Sequence, residues 1–306
     1  MAINTLEYAK LLMTKLDQQM VQAATTGWME ENAGQVIYHG GDEVKIPTLS
    51  TQGLANYDRD KGFTQGGVTL KYETYKMLMD RGRTFQLDSM DIDETNFVLN
   101  ASSVMKVFQS EQVVPEVDAY RYSAIATKAI AANQSEDYTL NADTVLSKFR
   151  EHVRAVQDVV GEQVPLMVSI TSEALQAIEE SPKLNRYLDT GNFTQGGLHF
   201  KVKTMDDIPL RVVPSARMAT AFEFQTGEAG QESGGFKKAG SAKDIHWIIS
   251  ARKAPMAISK TDKIRIFTPD VNQKADAWKL DYRKYHGLWI LNSNLKTLMV
   301  ATKPQA

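Results

Sequence analysis

Residues 34–133 constrain the fold most, because a long stretch with strand-like alternation is followed directly by a long stretch with helical spacing. Alternation of apolar and polar residues is typical of half-buried strands, whereas apolar residues every three to four positions are typical of a helix. Neither segment can enclose its own apolar surface. We therefore expect both to lie against neighbouring molecules and not within one compact subunit.

The strand-like part predicts an arm that runs out from the body and returns. Residues 36–46 predict two short strands about a Gly-Gly turn, and residues 68–73 predict a half-buried returning strand. Between them, residues 48–67 contain four glycines and too few apolar residues for a core. A turn at residues 80–83 then leads back into the body. Long loops without a core are functional or disordered, and the strands on both sides favour a function.

The helical part predicts one long helix over residues 93–131. Asp91 and Glu94 are spaced to satisfy free backbone amides at its start. Pro115 lies inside this helix, where a proline costs about 3 kcal/mol. We expect a kink there, or a break at which Pro115 opens a second helical segment.

The remaining pattern predicts an α+β fold, because helices and strands are segregated along the chain and do not alternate as repeating units. Residues 1–33 predict an N-terminal arm whose amphipathic helix packs either on a partner or on its own subunit. Residues 227–240 predict a mobile surface loop rich in glycine. Other predicted helices span 145–160 and 171–180, and predicted strands span 164–170, 199–203, 208–213 and most of 245–301.

Composition narrows the class of protein. With 306 residues, 42% of them hydrophobic, the chain can bury one sizeable core or two modest ones. It has no cysteine, which excludes disulfides and thiolate metal sites. No apolar run approaches the roughly eighteen residues that span a bilayer, and no signal core is present, so we expect no membrane partner and a cytoplasmic product. A net charge of −2 argues against tight binding to nucleic acid.

No spacing in the sequence predicts catalysis, a metal or a cofactor. The histidines are far apart, none forms a metal-binding motif, and no glycine-rich loop matches a phosphate-binding motif. We expect His152 to face solvent on its helix and His246 to pack with Trp247 at a sheet surface. A further alternative is an enzyme in which residues 227–240 form a lid. No residues at catalytic spacing support it.

The order of these parts resembles the major capsid protein of tailed bacteriophages, which has the Hong Kong 97-type capsid fold. A strand before the helix of Thr171-Ser172-Glu173-Ala174-Leu175 is similar to the start of that family's axial domain. The stretch Ile208-Pro209-Leu210-Arg211-Val212-Val213-Pro214 resembles a recurrent strand there, although Ile208 stands where glycine is usual. The aromatic and basic run Asp281-Tyr282-Arg283-Lys284-Tyr285 is similar to the family's ending.

The resemblance implies a division of the chain. It gives an N-terminal arm (1–33), an extended β-hairpin loop with flanking strands (34–92), a peripheral-domain spine helix (93–140), an axial domain (141–260), and peripheral strands with a return to the axial domain (261–306). The 227–240 loop would then lie near the centre of a capsomer. Because the arm begins at once, the resemblance also implies a separate scaffolding protein.

The resemblance further implies a structural protein and not an enzyme. Copies of the chain would assemble into pentamers and hexamers of an icosahedral shell around double-stranded DNA, in the host cytoplasm, with a portal protein as a further partner. An encapsulin-like compartment that holds a cargo enzyme is the alternative. Contacts between subunits are expected at Trp28, Leu54, Tyr57, Arg59, Lys61, Phe63, Arg81 and Arg83. Arg81 and Arg83 would pair with carboxylates of another subunit or, equally, with Asp80 or Asp88 of their own subunit.

Overall fold

The computed structural model describes residues 24–35, 43–88, 104–182, 188–195, 198–205 and 207–305. The predicted arm helix, the Gly-Gly turn at residues 40–41 and the helix cap at residues 91–94 lie outside these ranges. The described chain builds a seven-stranded sheet, a three-stranded sheet and two separate two-stranded ribbons.

The seven-stranded sheet has the strand order β4-β14-β11-β5-β8-β7-β6. Its strands are β4 (Ser135–Asp137), β5 (Leu166–Thr171), β6 (Leu188–Gln195), β7 (Leu198–Met205), β8 (Ile208–Val213), β11 (Ile245–Ala251) and β14 (Leu298–Thr302). The central strands β5 and β11 are buried along their whole length, so apolar residues face both sides of the sheet and do not alternate strictly with polar ones. The sequence pattern missed β4 and β6.

Two helices accompany this sheet and form its core with it. Helix α2 (Val145–Val160) ends at Gly161, whose φ of 84° suits glycine, and helix α3 (Ser172–Glu179) begins with the Thr171 side chain accepting a bond from the Ala174 amide. Apolar residues of α2, α3, β5, β11 and β14 belong to one buried cluster. Both helices were predicted within a residue or two of these bounds.

The three-stranded sheet has the order β12-β13-β3 and carries a smaller core. Its strands are β3 (Met79–Asp88), β12 (Pro255–Phe267) and β13 (Ala277–Ile290). Val113, Val114 and Val117 of the long helix pack with Ile264, Leu280 and Tyr282 of this sheet. The long strands β12 and β13 each join segments that the sequence pattern predicted as separate strands.

The long helix is continuous over its described part, with helix α1 (Val114–Ala131) preceded by a π-helical turn (Gln109–Val113). In that turn the Val114 amide donates to the Gln109 carbonyl, one residue farther back than in an α-helix. Pro115 follows immediately, in the first turn of α1, where its missing N–H is tolerated. The predicted break at Pro115 is therefore absent from residues 104–131; α1 begins one residue earlier, at Val114, directly after the π turn.

The first ribbon contains β1 (Glu43–Thr51) and β2 (Val68–Lys76), which pair antiparallel over their whole length and join no other sheet. The second contains β9 (Phe222–Phe224) and β10 (Phe236–Lys238). This second hairpin overlaps the expected mobile loop (residues 227–240) through β10 and the connection before it, whereas β9 precedes that stretch. The hairpin is ordered because Phe222 and Phe236 stack edge to face at 5.4 Å and Arg81 binds its backbone.

Candidate intersubunit surface

The β1–β2 ribbon is fixed to the body at its root. Val44 and Met77 are buried with Ile258 of β12 and Trp289 of β13, and Trp289 donates to the Lys76 carbonyl at 3.1 Å. The Tyr75 hydroxyl donates to the Ile290 carbonyl at 3.1 Å. These contacts hold the ribbon at one end only, since no other sheet pairs with β1 or β2.

The outer half of the ribbon is apolar and uncovered. More than half of the large hydrophobic residues that are exposed in the described chain lie between residues 49 and 78. They are Leu49, Leu54, Tyr57, Phe63, Val68, Leu70 and Tyr72 on the ribbon, and Leu78 just past its root. A concentration of exposed apolar side chains on one element marks an interaction site, and an isolated two-stranded ribbon is marginally stable in water on its own. The returning strand is thus exposed here and not half-buried as predicted.

The apolar side of the ribbon changes from one face to the other along its length. Residues directly opposite in an antiparallel pair share a face. Near the root, Val44 pairs with Tyr75 on the inner face, which packs on the subunit. Farther out, Leu49 pairs with Leu70 on the outer face, and Pro47 pairs with Tyr72 on that same face. The outer apolar face therefore points away from the surface that holds the root.

The tip of the ribbon is a structured turn that displays three apolar side chains, which we call the tip cluster: Leu54, Tyr57 and Phe63. The Tyr57 and Phe63 rings lie 4.9 Å apart between centroids. The Asp58 carboxylate accepts from the Asp60 and Lys61 amides, and Gly62 adopts a φ of 78°. Phe63 is nevertheless 88% exposed. Because the turn already orders the aromatic pair, binding to a partner would cost little further conformational entropy.

Arg81 and Arg83 do not lie on a turn, because β3 runs through residues 80–83 without interruption. Gly82 permits this, since a Cβ there would lie 2.7 Å from the Tyr282 carbonyl oxygen of the neighbouring strand. The Arg81 guanidinium binds both Glu116 carboxylate oxygens, at 2.7 and 3.2 Å. Its other bonds go to the Gln225 and Gly235 carbonyls of the β9–β10 hairpin. Arg81 therefore pairs within its own chain, with a partner that the sequence did not suggest.

The exposed Arg83 guanidinium can still bind an acidic group. It donates to the Glu232 carbonyl at 3.0 Å and has no carboxylate partner among the residues that the structure describes. Asp80, offered by the sequence as its partner, instead forms a bidentate pair with Arg283, at 2.9 and 2.6 Å. The Arg283 guanidinium lowers the pKa of the Asp80 carboxyl.

A cavity of about 390 Å³ lies between β3, the π turn and the β9–β10 hairpin; we call it the base cavity. Its apolar wall is formed by Phe85, Phe108, Val113, Val117 and Tyr282. Arg81, Arg83 and Gln112 lie on its polar side, with Gln112 and Arg83 exposed. No residue of the β1–β2 ribbon lines it.

The start of the described chain is clamped to helix α1. The Asp118 carboxylate, fully buried, accepts bonds from the amides and hydroxyls of Thr25 and Thr26 and pairs with Arg217 at 3.0 Å. Arg121, also fully buried, donates to the Thr26 carbonyl and forms an ion pair with Glu30. Burial opposes ionisation of Glu30, but Arg121 keeps its pKa below the usual value.

Trp28 belongs to the subunit's own core and not to an exposed contact surface. It is 2% exposed and lies in the main buried cluster with Met29 and Tyr122. A side chain buried to this extent has no area left for a neighbour, so its assignment to intersubunit contact is corrected. The tip residues Leu54, Tyr57, Arg59, Lys61 and Phe63, in contrast, all lie on the exposed turn.

His152, His246 and His286 are buried. His152, expected to face solvent, is 1% exposed and accepts a bond from the Trp247 indole at 3.1 Å, while its other nitrogen contacts Glu136. His246 and Trp247 do lie in a strand, but in its buried interior. Burial lowers the pKa of His152 and His246. Burial lowers the pKa of His286 further, and the positive charges of Arg121, Lys284 and Arg81 add to that effect.

The described residues contain no cluster of side chains arranged to hold a metal ion. Within the same residues, no helix is both long and apolar enough to cross a membrane.

Solved structures with a similar architecture are known, although no match was found from the sequence. No protein-family model and no curated protein match the sequence. The mature capsid of bacteriophage PhiM1 is similar in structure, with a TM-score of 0.58 at 9% identity over 88% of this chain and 84% of that chain. The capsid of cyanophage P-SCSP1u gives 0.57 at 9% identity over 89% and 86%.

A virus-like particle from Pyrococcus furiosus is also similar, with a TM-score of 0.52 at 10% identity over 96% of this chain and 99% of that chain. These matches extend over most of both chains in each case. At such low sequence identities they establish the fold. The chain therefore has the α+β capsid fold of the tailed bacteriophages, the Hong Kong 97-type fold that the order of its sequence segments predicted.

Proposed function

We propose that this chain is the major capsid protein of a tailed bacteriophage. Its copies assemble through pentamers and hexamers into an icosahedral shell that encloses double-stranded DNA, first in the host cytoplasm and then as part of the virion. The observation that carries this proposal is the β1–β2 ribbon, held only at its root, with its outer apolar face uncovered. The similarity in fold to phage capsids supports it.

The outer face gives a physical reason for assembly. Leu49, Leu70 and Tyr72 are more than half exposed, and burying them against another copy returns roughly 25 cal/mol for each Å² of apolar area. A contact between two different surfaces of identical subunits closes into rings or continues as open chains. Each contact can be weak, because a subunit held at several sites gains from effective concentration. The proposal includes separate scaffolding and portal proteins, and DNA contacts without tight or specific binding.

Electron microscopy of the full chain, expressed with and without a candidate scaffolding protein, tests the proposal. Rings or shells are the expected result. Replacing Leu54 and Phe63 of the tip cluster by serine should leave a folded subunit that no longer assembles. Replacing the exposed Val159 and Val271, which lie off the ribbon, makes a matched control that should still assemble. A wild-type chain that stays monomeric under all these conditions would refute the proposal.

The alternative is a compartment shell around a cargo enzyme. The observation behind this alternative is the structural match to almost the whole chain of the Pyrococcus furiosus virus-like particle. The two functions differ in contents and in genetic neighbourhood. Neighbouring terminase and portal genes and packaged DNA support the phage, whereas a neighbouring ferritin-like or peroxidase gene and packaged protein support the compartment.

A further inference from the structure

We propose that the tip cluster of one subunit docks into the base cavity of another copy, and that Asp60 of the tip pairs there with Arg83. This inference rests on the proposed function, because it names the surface that receives the ribbon. The occupant is a second copy of this chain. Three properties of the two sites carry the argument: their chemistry, their size and their separation within one subunit.

The two surfaces are chemically complementary. The tip cluster presents an exposed aromatic pair, Tyr57 and Phe63. The base cavity offers an aromatic wall in which Phe85 and Phe108 already pack edge to face at 4.9 Å. Aromatic rings favour such tilted arrangements with further rings, beyond the area that they bury. Insertion of the pair would extend a cluster that exists in the free subunit.

The charges beside these surfaces also match. Asp60 follows Tyr57 by three residues, and no described residue pairs with its carboxylate. Arg83 stands at the cavity with only a backbone carbonyl as its described partner. Two acidic groups that line the same cavity are already paired, since Asp80 binds Arg283 and Glu116 binds Arg81. An incoming carboxylate would therefore meet an arginine that is free to bind it.

The cavity is large enough for its proposed occupant. A cavity of roughly 150 Å³ holds a benzene molecule, and the base cavity measures about 390 Å³. The cavity therefore has more than twice the volume that accommodates one benzene-sized ring. The exposed position of Gln112 at the cavity leaves a path for entry.

A subunit cannot fill its own cavity with its own tip. The paired strands between the root at Val44 and the outer end at Thr51 span about 23 Å at the rise of a β-strand. The cavity is lined by β3, the helix and the second hairpin, and not by any part of the ribbon. The contact must therefore join two different surfaces on two molecules, which is the geometry that closes subunits into a ring.

Engineered thiols test this docking directly, because the natural chain has no cysteine. The full-length double variant Thr64→Cys with Gln112→Cys places one thiol beside the tip cluster and one at the cavity. The control variant carries Thr64→Cys with Val159→Cys, on the exposed side of helix α2. Assembled particles of each are treated with a short bismaleimide and separated by denaturing electrophoresis.

The expected result is a ladder of covalent multimers in the Gln112 variant. Its yield should exceed that of the control roughly tenfold or more, since docked thiols share a local concentration in the millimolar range. Particles that form normally but cross-link no better through Gln112 than through Val159 would overturn the docking and leave the proposed function standing. Absence of rings and shells in the wild type would instead refute the proposed function.

A charge exchange gives a second measurement that does not depend on thiol geometry. Asp60→Arg and Arg83→Asp should each raise the subunit concentration needed for assembly, by roughly two- to fivefold for an exposed ion pair. Combining the two should restore assembly toward the wild-type level. Additive damage in the combined variant would show that these residues do not meet.

Discussion

The Asp118 carboxylate accepts both the amide and the hydroxyl of Thr26, at 3.2 and 2.6 Å, and so ties the start of the described chain to the middle of the long helix. The same carboxylate pairs with Arg217, and Asp118 is fully buried. We expect Asp118→Ala to lower the free energy of unfolding by about 3–5 kcal/mol, because it leaves a buried charge and several donors unpaired.

Chemical denaturation of unassembled subunits measures this change. The control is Asp158→Ala on the exposed side of helix α2, which should shift the free energy of unfolding by no more than about 0.5 kcal/mol. Equal effects of the two substitutions would mean that the Asp118 contacts do not stabilise the subunit.

The reversal of the ribbon's apolar side predicts that neighbouring positions differ in their effect on assembly. Leu70 lies on the outer face and Thr69 on the opposite one, and both are exposed in the free subunit. We expect Leu70→Glu to abolish particle formation and Thr69→Glu to permit it, with unchanged thermal unfolding in both. Sedimentation of the expressed proteins distinguishes the outcomes. Loss of assembly in both variants would indicate that the ribbon is buried on both sides.

Gly82 predicts an effect on folding of the three-stranded sheet. A methyl group there would meet the Tyr282 carbonyl oxygen at 2.7 Å, so the strands β3 and β13 would have to move apart. We expect Gly82→Ala to cost about 1–3 kcal/mol of stability, as overpacking usually does. Gly240→Ala, with no atom within 4 Å of its added carbon, is the control and should change stability little. Similar melting temperatures for the two variants would contradict this reading of the sheet.

The buried histidines predict loss of stability on mild acidification. Their folded pKa values lie below the ordinary value of 6.5, so the unfolded chain binds protons more readily. The contribution to stability is complete above that value and declines as the pH falls from about 7 to 5, by up to about 1.4 kcal/mol per pH unit for each histidine. The carboxyls of Glu30 and Glu136 have lowered pKa values, so they stay ionised in this window.

Thermal unfolding of unassembled subunits between pH 5 and 7 checks this prediction. His286→Leu should show a shallower decline than the wild type, since one buried group no longer takes up a proton on unfolding. A melting temperature independent of pH over this range would show that the histidines titrate normally.

Much of the fold could be predicted because local pattern and tertiary structure agree there. Helix α2 has an apolar stripe and ends at Gly161, and the caps of α3 are visible in Thr171 and Pro182. The exposed tip was also predictable, because Leu54, Tyr57 and Phe63 are too few to form a core. The order of these segments along the chain then indicated the capsid fold.

Other features depend on contacts between distant segments and left no local signal. The four charged and glycine residues at 80–83 suggest a turn, yet pairing with β13 keeps them in a strand. His152 beside a glutamate suggests a solvated face, but Trp247 and Glu136 bind it in the interior. The base cavity is formed by three segments that are far apart in sequence, so no spacing could have revealed it.

The ribbon's construction as a hairpin has a mechanical consequence. A pull on its tip along its axis is carried by two covalent backbones in parallel, both anchored at the root through Val44 and Met77. No hydrogen bond between β1 and β2 has to break under such a load. A shell joined by ribbons of this kind would resist outward pressure from its contents until a root or a docking surface gave way, and the hairpin itself would fail last.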